Sequence, residues 1–184
     1  MDLNKKIKKN EGWAILFVFI LVVLYTSPLL LNLGKCFTLY PKNIPNGYPN
    51  YIFDYFPIQS VTSHHFPLWT PLLEGGRLLT EHPYDTSLNP FLIFSLLFGE
   101  IIGVSLTWFV LFLLGAFSMY YLTRFVLRYS TWGAVYASLV FSMAGFFAYL
   151  FENGTAYVQT ILLLPLAVGF FLKAGENVKY AILS

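Results

Sequence analysis

The sequence predicts an all-α, polytopic membrane protein with about four transmembrane helices and a large first extracytoplasmic loop. Three observations carry that expectation. Of 184 residues, 57% are hydrophobic and 20% aromatic, and the mean hydropathy is +0.64. Only 11% are charged, against about 25% in soluble domains, which leaves too little polar material to coat a soluble fold of this size. The charges are also missing in blocks: no Asp, Glu, Lys or Arg occurs in 12–34, 86–99, 101–123, 129–151 or 153–172. The same figures exclude intrinsic disorder, which needs low hydrophobicity and high net charge. A net charge of +2 is too small and too dispersed for a nucleic-acid partner. The single cysteine, Cys36, excludes an internal disulfide framework and a cysteine-based zinc cluster.

The elements follow in chain order. Residues 1–12 form a basic N-terminus with Lys5, Lys6, Lys8 and Lys9. A helix needs about 20 apolar residues to cross a ~30 Å hydrocarbon core, and four of the five uncharged stretches are long enough. Spans are expected at 13–33, 102–124, 131–151 and 156–173, with Pro28 and Pro165 as tolerated kinks. The first stretch is too long for a signal-peptide core and no small-x-small site follows it, so it stays as an anchor. The remaining stretch begins at Asn89-Pro90 and fits a short interfacial or re-entrant helix at 88–99; one long tilted helix broken near Gly99-Glu100 is the alternative. Residues 174–184 are a cytoplasmic tail or the opening of a fifth span, in which case the chain is a piece of a longer or split protein.

Orientation follows from Lys and Arg. With the N-terminus inside, the cytoplasmic segments hold Lys5, Lys6, Lys8, Lys9, Arg124, Arg128, Lys173 and Lys179, and the outer ones hold Lys35, Lys42 and Arg77. That eight-to-three bias predicts a cytoplasmic N-terminus. The loop at 34–87 then lies outside. It contains seven of the ten prolines, all three histidines (His64, His65, His82) and the acids Asp54, Glu74, Glu81 and Asp85. Loops of this length are usually functional.

Two foci stand out in that loop. In Phe53-Asp54-Tyr55-Phe56-Pro57 a carboxylate sits among aromatics beside a membrane face. Partial desolvation raises its proton affinity, which suits a general base or a cation ligand; an Asp capping a short juxtamembrane helix fits the same residues. The second focus is Phe66-Pro67-Leu68-Trp69-Thr70-Pro71, then Glu74-Gly75-Gly76-Arg77 and Glu81-His82-Pro83. Arg77 can pair with Glu74 or Glu81, or hold a phosphate through its planar fork. Trp69 and Tyr55 can stack on a sugar ring, contact a lipid chain or anchor the interface. Glu81 and His82 suit acid–base work or metal binding. No certain cofactor is implied. A divalent metal ion on His64, His65, His82 and Asp54 matches no recognised ligand spacing.

These residues resemble the N-terminal part of the YfhO-like bacterial membrane proteins, which belong with the GT-C class of polytopic glycosyltransferases. The likeness rests on Asp54 with Phe56-Pro57, Pro67-Leu68-Trp69-Thr70-Pro71, Gly75-Gly76, His82-Pro83 and Asn89-Pro90. Leu114 to Leu122, Ala134 to Phe147 and Leu164-Pro165-Leu166 extend it over roughly residues 13–175. Thr70 stands where the family pattern has Asn, and His82 where it has Asp. The resemblance implies transfer of a sugar from a polyprenyl-phosphate-linked donor to an extracytoplasmic cell-envelope acceptor. Asp54 would be catalytic, with Tyr55, Trp69, Arg77, Glu81 and His82 in substrate binding. The implied partners are the lipid-linked donor, membrane lipids, the acceptor, and a C-terminal half or other membrane subunits. Two other classes remain open: a non-catalytic assembly partner, and a transporter or flippase-like protein, although the spans carry no charge at mid-depth.

Overall fold

The computed structural model describes residues 3–33, 69–70, 77–78, 89–152 and 156–174. Among these residues the architecture is helical apart from one two-stranded ladder, and the chain divides into two units. The first comprises Met1–Pro28, Val110–Phe147 and Thr160–Ser184; the second comprises Leu29–Phe109 and Ala148–Gln159.

In the first unit, α1 (Leu3–Tyr25) buries Ala14, Val18 and Val22, one residue per turn. Its other faces are equally apolar and remain exposed at Leu16, Phe19, Ile20 and Leu24. From Trp13 onward the helix is hydrophobic all round, a pattern suited to a lipid or protein surround. Pro28 has no N–H to give the carbonyl of Leu24, and the Ser27 hydroxyl donates to that carbonyl instead at 2.7 Å. Thr26 likewise donates to the Val22 carbonyl at 2.8 Å. The path continues as α2 (Ser27–Leu31).

The second unit contains a tight helical hairpin. Asn89 accepts from the Phe91 N–H at 3.0 Å, an Asx turn that starts α3 (Leu92–Phe98) just after Pro90. Gly99 then ends α3 with φ of 82°, its N–H bonded to the Ser95 carbonyl at 3.0 Å. Only glycine adopts that conformation without strain. The chain reverses into α4 (Glu100–Tyr121). A methyl group on Gly103 would fall on the Ser95 backbone, so the two helices touch main chain to main chain. Thr107 also donates to the Phe91 carbonyl at 3.4 Å. Thus α3 lies back along the first turns of α4.

Further along α4, in the first unit, Phe112, Ala116 and Tyr120 are buried at every fourth position. A π-turn follows at Leu122–Val126, with the Leu127 N–H reaching the Leu122 carbonyl at 2.9 Å. Arg128 adopts φ of 60° in the turn that leads to α5 (Thr131–Ser142), and Ser130 caps that helix by accepting from the Gly133 N–H at 3.1 Å. The helix α5 packs on α1 and buries the small residues Ala134, Ser138 and Ser142, which permit close helix approach. After a break at Met143-Ala144 comes α6 (Gly145–Glu152).

The last described segment starts as a 3₁₀ helix (Ala156–Leu163) and becomes α7 (Leu164–Ala174). In a 3₁₀ turn the N–H of residue 165 would bond the carbonyl of residue 162. Pro165 lacks that N–H, and Ser118 of α4 donates to the Leu162 carbonyl at 3.2 Å in its place. Gly115 lies against Leu162 and Gly169 against Tyr121, so α7 runs parallel to α4.

Two stretches among the described residues are long and apolar enough to cross a bilayer, Ile101–Val126 and Thr131–Leu150. Four were expected. The other two apolar helices, Glu11–Tyr25 and Thr160–Ala174, are shorter. At 1.5 Å per residue each reaches about 22 Å, below the ~30 Å of a hydrocarbon core.

Candidate functional site

The residues singled out in the sequence fall mostly outside the described residues. Asp54, Tyr55, Glu81 and His82 all do, as do His64, His65 and Glu74. Trp69 and Arg77 fall inside, in strands β1 (Trp69–Thr70) and β2 (Arg77–Leu78). The strands pair antiparallel, with Trp69 opposite Leu78 and Thr70 opposite Arg77. Directly opposed positions share a face of a ladder and successive ones alternate. Positions 69 and 77 therefore belong to opposite faces. The ladder thus pairs the central Trp-Thr of one sequence motif with the Arg-Leu of the next.

Among the described residues, the densest polar constellation is one the sequence reading did not single out. Glu11 of α1 receives the Tyr120 hydroxyl on Oε2 at 2.6 Å. Its Oε1 receives Arg124 Nε at 2.7 Å and the Thr131 hydroxyl at 3.3 Å, with Arg124 Nη2 at 2.5 Å. Arg124 Nη1 donates in turn to the Tyr129 carbonyl at 2.9 Å. The Glu11 side chain is 15% exposed and that of Arg124 is 25% exposed.

Each element contributes one part of this knot. α1 supplies the carboxylate just before its apolar run, and α4 supplies Tyr120. The π-turn carries Arg124, and α5 begins with Thr131. Arg124, hydrogen-bonded to Glu11, holds the carboxyl below its ordinary value of 4.5; Tyr120 and Thr131 act in the same direction, against the opposing effect of burial. An ionised carboxylate with both oxygens engaged has little capacity left to take a proton from a substrate. Chemically the knot is a tie between helix ends rather than a general base.

Nearby, Lys173 at the end of α7 lies over the Tyr121 ring at 5.3 Å. The start of α1, the end of α4, the start of α5 and the end of α7 therefore meet at one end of this unit. Beside the knot, α1 and α5 enclose an open, mainly apolar groove of about 710 Å³, with Trp13, Phe17 and Ile20 on one wall and Trp132 on the other. Phe17 and Trp132 meet edge to face at 6.3 Å. No group of three or more His, Cys, Asp or Glu suited to a metal occurs among the described residues.

A sequence signal for the knot did exist. Glu11 is an acid placed directly between a lysine cluster and an apolar run, and Arg124 closes another apolar run. What was missing was the pairing of helix ends, which depends on topology. No family model, curated protein or solved structure matches this chain.

Proposed function

We propose that the chain is the N-terminal portion of a multi-pass glycosyltransferase of the YfhO-like, GT-C type, resident in the cell membrane with a cytoplasmic N-terminus. It transfers a sugar from a polyprenyl-phosphate-linked donor to an extracytoplasmic cell-envelope acceptor. The observation that carries this reading is the order of motifs directly after the first apolar helix: Asp54 before Phe56-Pro57, Pro67-Leu68-Trp69-Thr70-Pro71, Gly75-Gly76, His82-Pro83 and Asn89-Pro90.

Several features support membrane residence. Ile101–Val126 and Thr131–Leu150 suffice to cross a bilayer, and large apolar side chains such as Tyr136, Leu97 and Phe171 stand exposed. The spans expected at 13–33 and 156–173 overlap the two shorter apolar helices, Glu11–Tyr25 and Thr160–Ala174. Arg124 on Glu11 and Lys173 over Tyr121 gather cations at one end of the first unit, as a cytoplasmic face requires.

A lipid-linked donor is met only at the membrane boundary, where the loop at 34–87 would lie. In the proposed step the acceptor hydroxyl attacks the anomeric carbon as Asp54 takes its proton. The new glycosidic bond forms while the bond from that carbon to the phosphate oxygen breaks, and the polyprenyl phosphate leaves with the electron pair. Arg77 steadies the departing phosphate. Tyr55 and Trp69 offer faces to the sugar or the prenyl chain, and Glu81 with His82 lines the polar side of the site.

The test is sugar transfer in membranes containing the protein with Asp54→Asn. Loss of a general base lowers the rate by about 100-fold or more, and membrane insertion should be unchanged. Undiminished transfer by an inserted Asp54→Asn protein contradicts the role of Asp54.

A further inference from the structure

The groove beside the Glu11 knot has a chemical gradient along its length. On α1 its wall consists of Trp13, Leu16, Phe17 and Ile20, and Thr131 and Trp132 of α5 face them. Successive residues on an α-helix advance by about 100°, which puts positions 6 and 9 on the same face as 13, 16 and 20, one to two turns toward the N-terminus. Both positions are lysine. Arg128, an exposed residue, precedes Ser130 in the turn that borders the groove.

The nearby carboxylate does not oppose these cations. Glu11 lies about 140° around the helix from position 6, and its charge is taken up by Arg124. It is the one carboxylate among residues whose side chains are described. Read along α1, the face thus passes from lysine to tryptophan to aliphatic and aromatic surface. The two flanking indoles stay open, Trp13 at 63% and Trp132 at 71% exposure, although Trp132 also touches Phe17.

We propose that this groove seats an acyl chain of an anionic phospholipid of the cytoplasmic leaflet, with the headgroup at the level of Lys6, Lys9 and Arg128. The order of chemistry along α1 matches that molecule: cations for the phosphate, indoles at headgroup depth, then apolar wall for the chain. Basic clusters immediately cytoplasmic of a membrane helix attract anionic lipid. The charge at the mouth selects this occupant over a second apolar helix, which would gain nothing from it. The proposal rests on membrane residence with the N-terminus inside and not on the chemistry of the outer loop, so loss of sugar transfer and loss of lipid binding are separate outcomes.

The experiment uses the whole chain in nanodiscs of phosphatidylcholine with a minor share of phosphatidylglycerol brominated on its acyl chains. Bromine quenches nearby indoles. Brominated phosphatidylglycerol should quench tryptophan emission several-fold more than brominated phosphatidylcholine at the same share, and Trp13→Phe with Trp132→Phe should remove the excess. Lys6→Gln with Lys9→Gln should remove most of that several-fold preference, while elution as the same monodisperse species shows the fold intact. Arg128→Gln gives an independent, smaller loss. Equal quenching by the two lipids overturns the proposal, as does a preference that survives all three substitutions. Efficient cross-linking between two chains through Trp13→Cys in a Cys36→Ser background, without lipid quenching, overturns it as well and assigns the groove to a second copy.

Discussion

Ser118 shows how one hydroxyl can decide whether a proline is tolerated in an apolar setting. Its donation to the Leu162 carbonyl, at 3.2 Å, replaces the N–H that Pro165 cannot supply. A buried carbonyl without a partner costs about 1–3 kcal/mol. Ser118→Ala should therefore lower the melting temperature in detergent, and Ser118→Ala with Pro165→Ala should recover much of the loss. Ser142 presents the opposite case. It is fully buried, and among the described residues its hydroxyl has no hydrogen-bond partner. Ser142→Ala should leave the melting temperature unchanged or raise it, since it removes a desolvated polar atom. Glu11 adds a pH dependence. Its carboxyl is held below 4.5 by Arg124 first of all, so its contribution is complete above that value and fades as pH falls toward the lower folded value. Acidification from pH 7 to about 4 should therefore destabilise the wild type more than Glu11→Gln, as thermal melts at the two pH values would show. Prolines, serines and Glu11 are visible in the sequence, but which carbonyl each hydroxyl meets depends on neighbours 44 residues away in the case of Ser118.

At the scale of elements, the break at Gly99 is the feature with the clearest mechanical consequence. It turns α3 back onto α4, and the contact between Gly103 and the Ser95 backbone leaves no room for a side chain. Gly103→Ala should cost about 1–3 kcal/mol, as overpacking generally does, and should separate the hairpin. A larger distance between spin labels at Leu97 and Ser105 would report that separation. The Gly-Glu junction and the Asn89-Pro90 start are local signals that a sequence reader can use. The 3₁₀ stretch before Pro165 and the π-turn at Leu122–Val126 are not, because both follow from tertiary contacts rather than from residue periodicity. Helix lengths show the same limit. Uncharged runs are counted in residues, whereas crossing depends on rise per residue and on where helices break, at Thr26 and at Met143-Ala144 in this chain.

For the whole molecule, composition carried the helical class and the apolar character, and the two helices able to cross a bilayer agree with it. The proposed catalytic site was legible only as motifs: of the six residues named for it, Trp69 and Arg77 fall among the described ones, on paired strands. The knot at Glu11 was not legible because its three partners, Tyr120, Arg124 and Thr131, lie at least 109 residues further along the chain, and only a bundle that collects helix ends brings them to Glu11. Those same ends carry Arg124, Lys173 and the N-terminal lysines, which is the basis for assigning that face to the cytoplasm. The proposed function requires the loop at 34–87 and the basic end to lie on opposite sides of the membrane. Single cysteines placed at Ser63 and Arg128 in a Cys36→Ser background, treated with a membrane-impermeant thiol reagent on intact cells, test this directly. The account predicts labelling at position 63 in intact cells and at position 128 only after permeabilisation. Labelling at 128 but not at 63 in intact cells would contradict it.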